Sequence, residues 1–595
     1  MPAMPTTHDI VNQVSIECWQ GHRSIQNMMI GARGICAHGR MFLQSLHLKP
    51  IEDHEVEERM KHLRAGIAAG GALAVAIGAL SAPALAQKKG GTLNFVVGSK
   101  IPSYDGHAES TFGMIHPIRP FYSLMMRVNP ENPGDPTDLV CDICEGKPPT
   151  ATDGGKTYTF KIRTGVEFHD GTKLTAHDVV ATFQKIIFPP AGVRSIRKAY
   201  FLSVASITAP DDTTVVFKLK RPDSTFIPSM AMPFSFIYSK KDIDTHGPAW
   251  HQKNINGTGA FSFVEHQPGA FVSGKRFDKY HHKGKPYLDG FRAIAAPKLA
   301  TRVLAIESDR ASIEFRGFPP KSRDDLKKVL GDKIAVQEGD WNCGLFLTPN
   351  HKAKAISDVR VRRALNLGLD RWGGSKYLTR IAIVKTVGGI VYPGHPLAAN
   401  KAELEKLEGY WPDIKKSRAL ARKLLKEAGH ENLEFTLTNR SVDQPYKLVG
   451  TWAIDQWRKI GVKVKQDVVT TSVWYDRLRK SKKYDVSTDA NCQSVVSPVA
   501  DVTKWLGSAG SNYANYKGGD DALEALYKDM AAQTDAAKQR QLMRDIETHV
   551  ISKQAHMMTT LWWRRISVYR SYVKGWKTSP SHYLNQHLDQ IWLDK

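Results

Sequence analysis

Six cysteines, 22 histidines and a net charge of +24 give this 595-residue chain many candidates for chemistry, and spacing removes most of them. Cys141 and Cys144 stand in C-x-x-C spacing, which suits a redox pair or half of a zinc site. No second ligand pair and no thioredoxin-like pattern accompanies them, so they read as a local structural pair or as two buried thiols. Gly155-Lys156-Thr157 resembles the end of a phosphate-binding loop, but the leading glycine of that pattern would fall where Thr150 stands. His281 and His282 are adjacent, so on an extended backbone their side chains diverge, and the sequence offers no evident third ligand. His169 and His177 fall at a turn and at a helix start, where structural roles are expected. The chain has neither an H-E-x-x-H zinc motif nor a G-x-S-x-G nucleophile elbow. What remains is aromatic. Trp341, Trp474, Trp505, Trp562 and Trp563 all fall in the second half, where they can pack a core or line a pocket that stacks on a ligand.

The elements that would position these residues alternate between strand and helix. Thr92 to Val97 reads as a first strand, and Tyr158, Phe160 and Ile162 alternate along a second. Thr175 and Asp178 have capping-box spacing ahead of Val179, Val180 and Phe183. Val204 to Ile207 and Val215 to Leu219 read as a hairpin across Pro210-Asp211-Asp212. Gly257-Thr258-Gly259 turns into a strand bearing Phe261 and Phe263, and Leu288 to Ala295 is another strand. Helices are expected from Ser357-Asp358 onward, over Ser417 to Ala428 with Gly429 as its stop, and over Tyr446 to Ile460 ended by Gly461. Strands follow at Leu433 to Leu437 and from Val462. Two amphipathic helices, Asp521 to Met530 and Ala536 to Ser552, precede extended segments at the end. The pattern is α/β, without internal repeat or low-complexity tract.

Residues 60–86 form an export address. Lys61, His62 and Arg64 make a basic head, Ala65 to Leu80 is uncharged and apolar, and Ala84-Leu85-Ala86 is a small-x-small cleavage pattern. The apolar run is shorter than the roughly 20 residues of a membrane span. Gln87, not Cys, follows the cut, so no lipid anchor is expected. Residues 1–59 ahead of this signal are read as a disordered extension or as a misassigned start, with Met60 the true beginning. The product is expected in the periplasm, and size priors suggest two or three domains. Residues 1–87 carry seven basic and seven acidic residues, so the whole positive excess sits beyond them. It is dispersed rather than striped, with short clusters at Arg360 to Arg363 and Lys480 to Lys483, which points to a solvated surface rather than nucleic acid.

The succession of these features resembles one family. The segment Tyr158 to Val180 is similar to the signature of the family-5 extracellular solute-binding proteins, the dipeptide and oligopeptide receptors of ABC importers. The resemblance continues through Gly257 to Phe261, Asp358 to Leu365, Leu369-Asp370-Arg371, Tyr484-Asp485-Val486 and the tail from Asp521 to Val573, and so covers about 90–595 in register. It implies a two-lobed periplasmic-binding-protein fold of cluster C type, with an extra small domain in the first half. The expected division is a first lobe at 88–128, 246–341 and 563–595, the extra domain at 129–245, and a further lobe at 342–562. The resemblance also implies closure over a peptide-like or modified organic solute, and delivery to an ABC permease complex in the inner membrane. No cofactor, metal or catalysis is implied, and a monomer is expected. The alternative is a secreted hydrolase using the same cleft.

Carried onto single positions, the resemblance implies a Cys343–Cys492 disulfide. Ligand-side positions are expected at Glu109, Thr111, Phe112, Trp341, Phe346, Trp474, Arg479, Asn491, Gln493, Ser494, Trp562 and Trp563. Arg479 would meet an anionic group. Peptide-binding members place an aspartate where this chain has Ser494, so the expected anchor for a peptide's amino end is lost unless Asp489 or Asp501 replaces it. A buried unpaired ammonium is costly, which disfavours peptides with free termini.

Overall fold

The computed structural model describes residues 87–495, 497–507, 512–516, 519–533 and 535–595. The export signal at 60–86 and the segment 1–59 lie outside them. Eleven strands form one continuous sheet. From edge to edge its order is Lys463–Val469, Glu434–Arg440, Val486–Cys492, Ile334–Pro349, Met558–Arg570, Ile313–Glu314, Thr92–Val97, Gly290–Ala295, Phe271–Arg276 and Phe261–Gln267, and Val384–Thr386 also pairs with Met558–Arg570. Thr92–Val97 runs parallel to both of its neighbours, and Glu434–Arg440 does the same on the other side.

Two strands belong to both halves. Ile334–Pro349 and Met558–Arg570 pair antiparallel from Ile334 opposite Arg570 to Leu347 opposite Met558. Their register slips between Trp341 and Phe346. Such a bulge bends a strand and re-aims its side chains. The bend separates two cores. One gathers Leu93, Phe95, Phe121, Phe291 and Phe315, and the other Leu345, Leu365, Leu424, Leu437 and Trp457. A third core of Phe160, Phe183, Phe201, Phe217 and Phe226 lies under a separate three-stranded sheet, Thr157–Lys161, Thr214–Leu219 and Val204–Asp211. The expected two-lobed α/β architecture with a small extra domain in the first half is the one observed.

Local chemistry sets the element ends. Thr175 donates its N–H to the Asp178 carboxylate at 2.8 Å, opening helix Ala176–Ile187. Gly257 and Gly259 pass against the Phe121 backbone, where a Cβ would lie 2.2 and 2.4 Å from its atoms. The helix expected from Ser417 begins three residues earlier, at Ile414, because the Asp413 side chain accepts the Lys415 and Lys416 N–H groups. Gly429 ends it at φ +72°. The helix expected from Tyr446 is present: a wider helical turn that includes Tyr446 and Lys447 runs directly into Leu448–Arg458. Gln444, held extended ahead of Pro445, keeps the helix from reaching further back.

Cys343 and Cys492 stand opposite each other on adjacent strands and are joined by a disulfide, as are Cys141 and Cys144. The divergence expected of His281 and His282 is corrected. The chain bends there, and both Nε2 atoms reach Asp142 Oδ1, at 3.4 and 3.0 Å. Arg119 and Arg127 face the same carboxylate, and Arg127 continues to Asp589 at 2.9 Å. The group is a buried ion network whose guanidinium charges oppose a cation.

Candidate functional site

The bulged strands place Trp341 and Trp563 edge to face, 5.1 Å apart, where the two lobes meet. Tyr446 stands 5.9 Å from Trp563 on the second-lobe side. From the first lobe, Arg316 brings its guanidinium over three rings at once: Phe112 at 4.9 Å, Trp563 at 5.6 Å and Trp341 at 5.8 Å. Phe112 opens the short helix Phe112–Ile118, capped by the Thr111 side chain on the Gly113 N–H. Glu109, just ahead of it, accepts the Ser103 hydroxyl, and its backbone carbonyl accepts from Arg197. Burial raises the Glu109 pKa, with Ser103 and Arg194 opposing.

The wall continues along the second lobe. Arg440, at the end of strand Glu434–Arg440, lies 5.4 Å from the Tyr446 ring, 5.6 Å from Trp474 and 5.8 Å from Tyr475. Arg479 stacks on Tyr475 at 3.7 Å and donates from Nε and Nη2 to the Tyr513 hydroxyl. The Trp474 indole is fixed by Ser487 Oγ at 2.9 Å and the Thr488 carbonyl at 3.0 Å. Burial pushes Arg316 down to about 10, Glu314 opposes this, and Arg302 and Arg440 add to it. Burial also works against the charge of Arg440, but the Tyr446 and Tyr475 hydroxyls outweigh it and raise the pKa. Burial raises the pKa of Tyr583, from the C-terminal segment, with Tyr475 and Tyr446 adding to it and Arg197 and Arg316 opposing, while its ring packs edge to face on Phe234.

Of the carboxylates nearby, Asp489 is already paired. Asp489 holds Lys504 at 2.6 Å, both nearly fully buried, and its other oxygen takes the Ala490 N–H at 2.8 Å. Asp501 accepts the Tyr392 N–H at 3.0 Å, and burial raises its pKa well above the usual carboxylate range. Gln493 ties the extra domain to the second lobe, accepting the Tyr200 hydroxyl at 2.7 Å and donating to Asn491 and to the Ala500 carbonyl. Ser494 is buried in the same loop, which Asn342 and Ser581 pin to the lobe junction.

Of the positions expected at the ligand, Phe112, Trp341, Trp563, Trp474 and Arg479 therefore join one continuous wall. Glu109, Thr111, Asn491, Gln493 and Ser494 support its margins. Trp562 and Phe346 sit elsewhere. Neighbouring residues of a strand point to opposite faces, so Trp562 packs on Tyr392 and donates to the Gly389 carbonyl, while Phe346 packs edge to face on Trp505. Sequence reasoning missed Arg316, Arg440, Tyr446, Tyr475 and Tyr583. None sits in a motif, and they meet only because two lobes meet.

A two-lobed α/β chain whose lobes face each other across aromatic rings and guanidinium groups is a binding protein of the periplasmic type. The chain belongs to the bacterial extracellular solute-binding proteins, family 5, whose model for the middle part matches residues 142–513. It is 28% identical over 439 residues to di/tripeptide-binding protein 1 of Pseudomonas aeruginosa UCBPP-PA14, covering 68% of this chain and 77% of that one. It is 24% identical over 471 residues to heme-binding protein A of Haemophilus influenzae, covering 73% and 81%. Among solved structures, the ABC transporter-associated periplasmic binding protein DppA of Helicobacter pylori, in complex with the peptide STSA, superposes with a TM-score of 0.74 at 20% identity, covering 85% of this chain and 99% of that one. AgaA of A. tumefaciens, in complex with agropinic acid, gives 0.72 at 19% identity, covering 85% and 99%.

Proposed function

We propose that this solute-binding protein, exported through the signal at 60–86 and cut after Ala86, captures a peptide-like or modified organic solute in the periplasm. It delivers that solute as a monomer to an ABC permease complex in the inner membrane. It does not transform the solute. The division into a first lobe (88–128, 246–341, 563–595), an extra domain (129–245) and a second lobe (342–562) supplies the motion, with the bulged pair of strands as the shared connection and contacts such as Gln493 to Tyr200 and Arg316 to Gln444 adjusting across it. Closure is then a population shift that solute binding drives.

The observation that carries this reading is the wall from Phe112 to Arg479, to which both lobes contribute side chains. The relatives bind small peptides and heme, and the neighbour from H. pylori is transporter-associated, which supports delivery to an importer. Native mass spectrometry of the exported protein should show one small molecule per chain, and that molecule should be recovered unchanged in mass. Small-angle scattering should show a smaller radius of gyration with it than after its removal. Conversion of the bound molecule would favour the hydrolase reading instead.

A further inference from the structure

Three guanidinium groups, Arg316, Arg440 and Arg479, line one aromatic wall, and among the described residues none forms an ion pair. Arg316 has a single hydrogen bond, to the Gln444 carbonyl at 3.4 Å. Among the described residues the Arg440 side chain donates to the Thr471 and Tyr446 hydroxyls, and Arg479 to the Tyr513 hydroxyl. A guanidinium has five N–H donors, so each keeps several unused. None of those unused nitrogens is sealed off from solvent, although Arg316 is only 7% exposed. Arg316 lies against Trp341 and Trp563 at the junction of the lobes, and Arg440 and Arg479 continue the same wall along the second lobe. The wall links them: Arg316 to Trp563, Trp563 to Tyr446, Tyr446 to Arg440, and Arg440 through Tyr475 to Arg479. Stacking on rings fixes the guanidinium planes in advance, which lowers the entropic cost of binding.

The carboxylates do not balance this charge. Asp489 is neutralised by Lys504, Glu109 at the margin feels the charges of Arg194 and Arg197, and Glu314 gives one oxygen to the Gly317 N–H and lies among Arg302, Arg316 and Arg565. An ammonium entering here would add positive charge to a surplus of it. A carboxylate or phosphate would supply what these planar forks lack, two oxygens for paired N–H donors. We propose that the solute held between Arg316, Arg440 and Arg479 is an anion with at least two carboxylate or phosphate groups and no unmasked ammonium. The proposal rests on the solute-capture reading above and names the substrate class for it.

The test starts from the exported protein as purified. Its bound solute is released with acid and characterised by mass spectrometry and by anion-exchange retention. The expected solute is retained as a multiply charged anion and does not react with an amine-specific reagent. Phosphatase treatment that removes one of its acidic groups identifies phosphate, and resistance identifies carboxylate. R440A and R479A should each lower occupancy at least tenfold, while the ligand-free variants unfold at the same temperature as the ligand-free unmutated protein. Binding to the unmutated protein should weaken as sodium chloride rises. A neutral solute, a peptide with a free amino end, or full occupancy in both variants overturns the proposal and leaves solute capture standing. If nothing is bound, the protein is titrated with citrate, N-acetyl-glutamyl-glutamate and tri-alanine. Binding of either acid supports the proposal, binding of tri-alanine alone overturns it, and failure of all three counts against solute capture itself.

Discussion

Lys504 sits 2.6 Å from Asp489 at the inner edge of the wall, with both side chains almost wholly out of water. Its ammonium also lies 4.0 Å over the Tyr513 ring. Burial lowers the Lys504 pKa, Asp489 opposes this, and Arg479 adds to it. An ion pair this deep is weak evidence of net stability, but breaking it leaves one bare charge. Lys504→Met should therefore cost about 3–5 kcal/mol in urea unfolding, and adding Asp489→Asn should recover most of that. A single variant as stable as the parent would show that Asp489 has another partner. At this scale the sequence was partly legible. Arg479 stands out because it aligns with a basic position of the family, and the missing aspartate at Ser494 is visible. That Lys504 occupies Asp489 is not visible, because a short helix folds the lysine back onto a strand 15 residues earlier, and nothing in composition or spacing encodes that contact.

The elements show how far pattern carries. Period-two strands, capped helices and glycine stops were legible because each is set by neighbours in the chain, as at Thr92–Val97 and at Gly429 and Gly461. Boundaries failed where a side chain beyond the apolar stripe took charge, as with Asp413. The pairing of Ile334–Pro349 with Met558–Arg570 was not legible, since it joins strands more than 200 residues apart and depends on the whole topology. The two disulfides separate local from distant constraint. Cys141–Cys144 closes a loop with a sequence separation of 3, and Cys343–Cys492 one of 149. In the chain-entropy model the first stabilises by about 2 kcal/mol and the second by about 5 kcal/mol. C343S/C492S should accordingly lower the unfolding free energy by about 5 kcal/mol and C141S/C144S by less than half as much. Equal losses in chemical denaturation would mean that native packing, not loop closure, sets the contribution.

For the molecule as a whole, the segments that brace the lobes hold histidines in neutral form. His116 donates from Nε2 to the His582 carbonyl at 2.9 Å, which fixes that nitrogen as the protonated one, since a carbonyl only accepts. His251 stacks on Tyr238 at 3.7 Å, with both ring nitrogens buried and unpartnered. His587 faces Asp589 at 3.0 Å. Burial pushes His116 and His251 down to about 3, and pushes His587 down to about 4 despite the opposing charge of Asp589. In the unfolded chain each returns to about 6.5. The unfolded state then binds more protons below that value, so these groups contribute stability above pH ~6.5 that is lost as pH falls toward 4. The carboxylates Asp142 and Asp589, also held low in the fold, add a second loss only below their unfolded value of about 3.9. Between pH 7 and pH 5 the three histidines alone should remove about 2 kcal/mol each, seen as a falling urea midpoint. His251→Phe keeps the stack on Tyr238 and discards no hydrogen bond, so it should leave the protein folded at pH 7 and reduce the loss between pH 7 and pH 5 by about 2 kcal/mol, the rest coming from the other buried histidines such as His107, His169 and His582. A slope unchanged by that substitution would place the acid sensitivity elsewhere in the molecule.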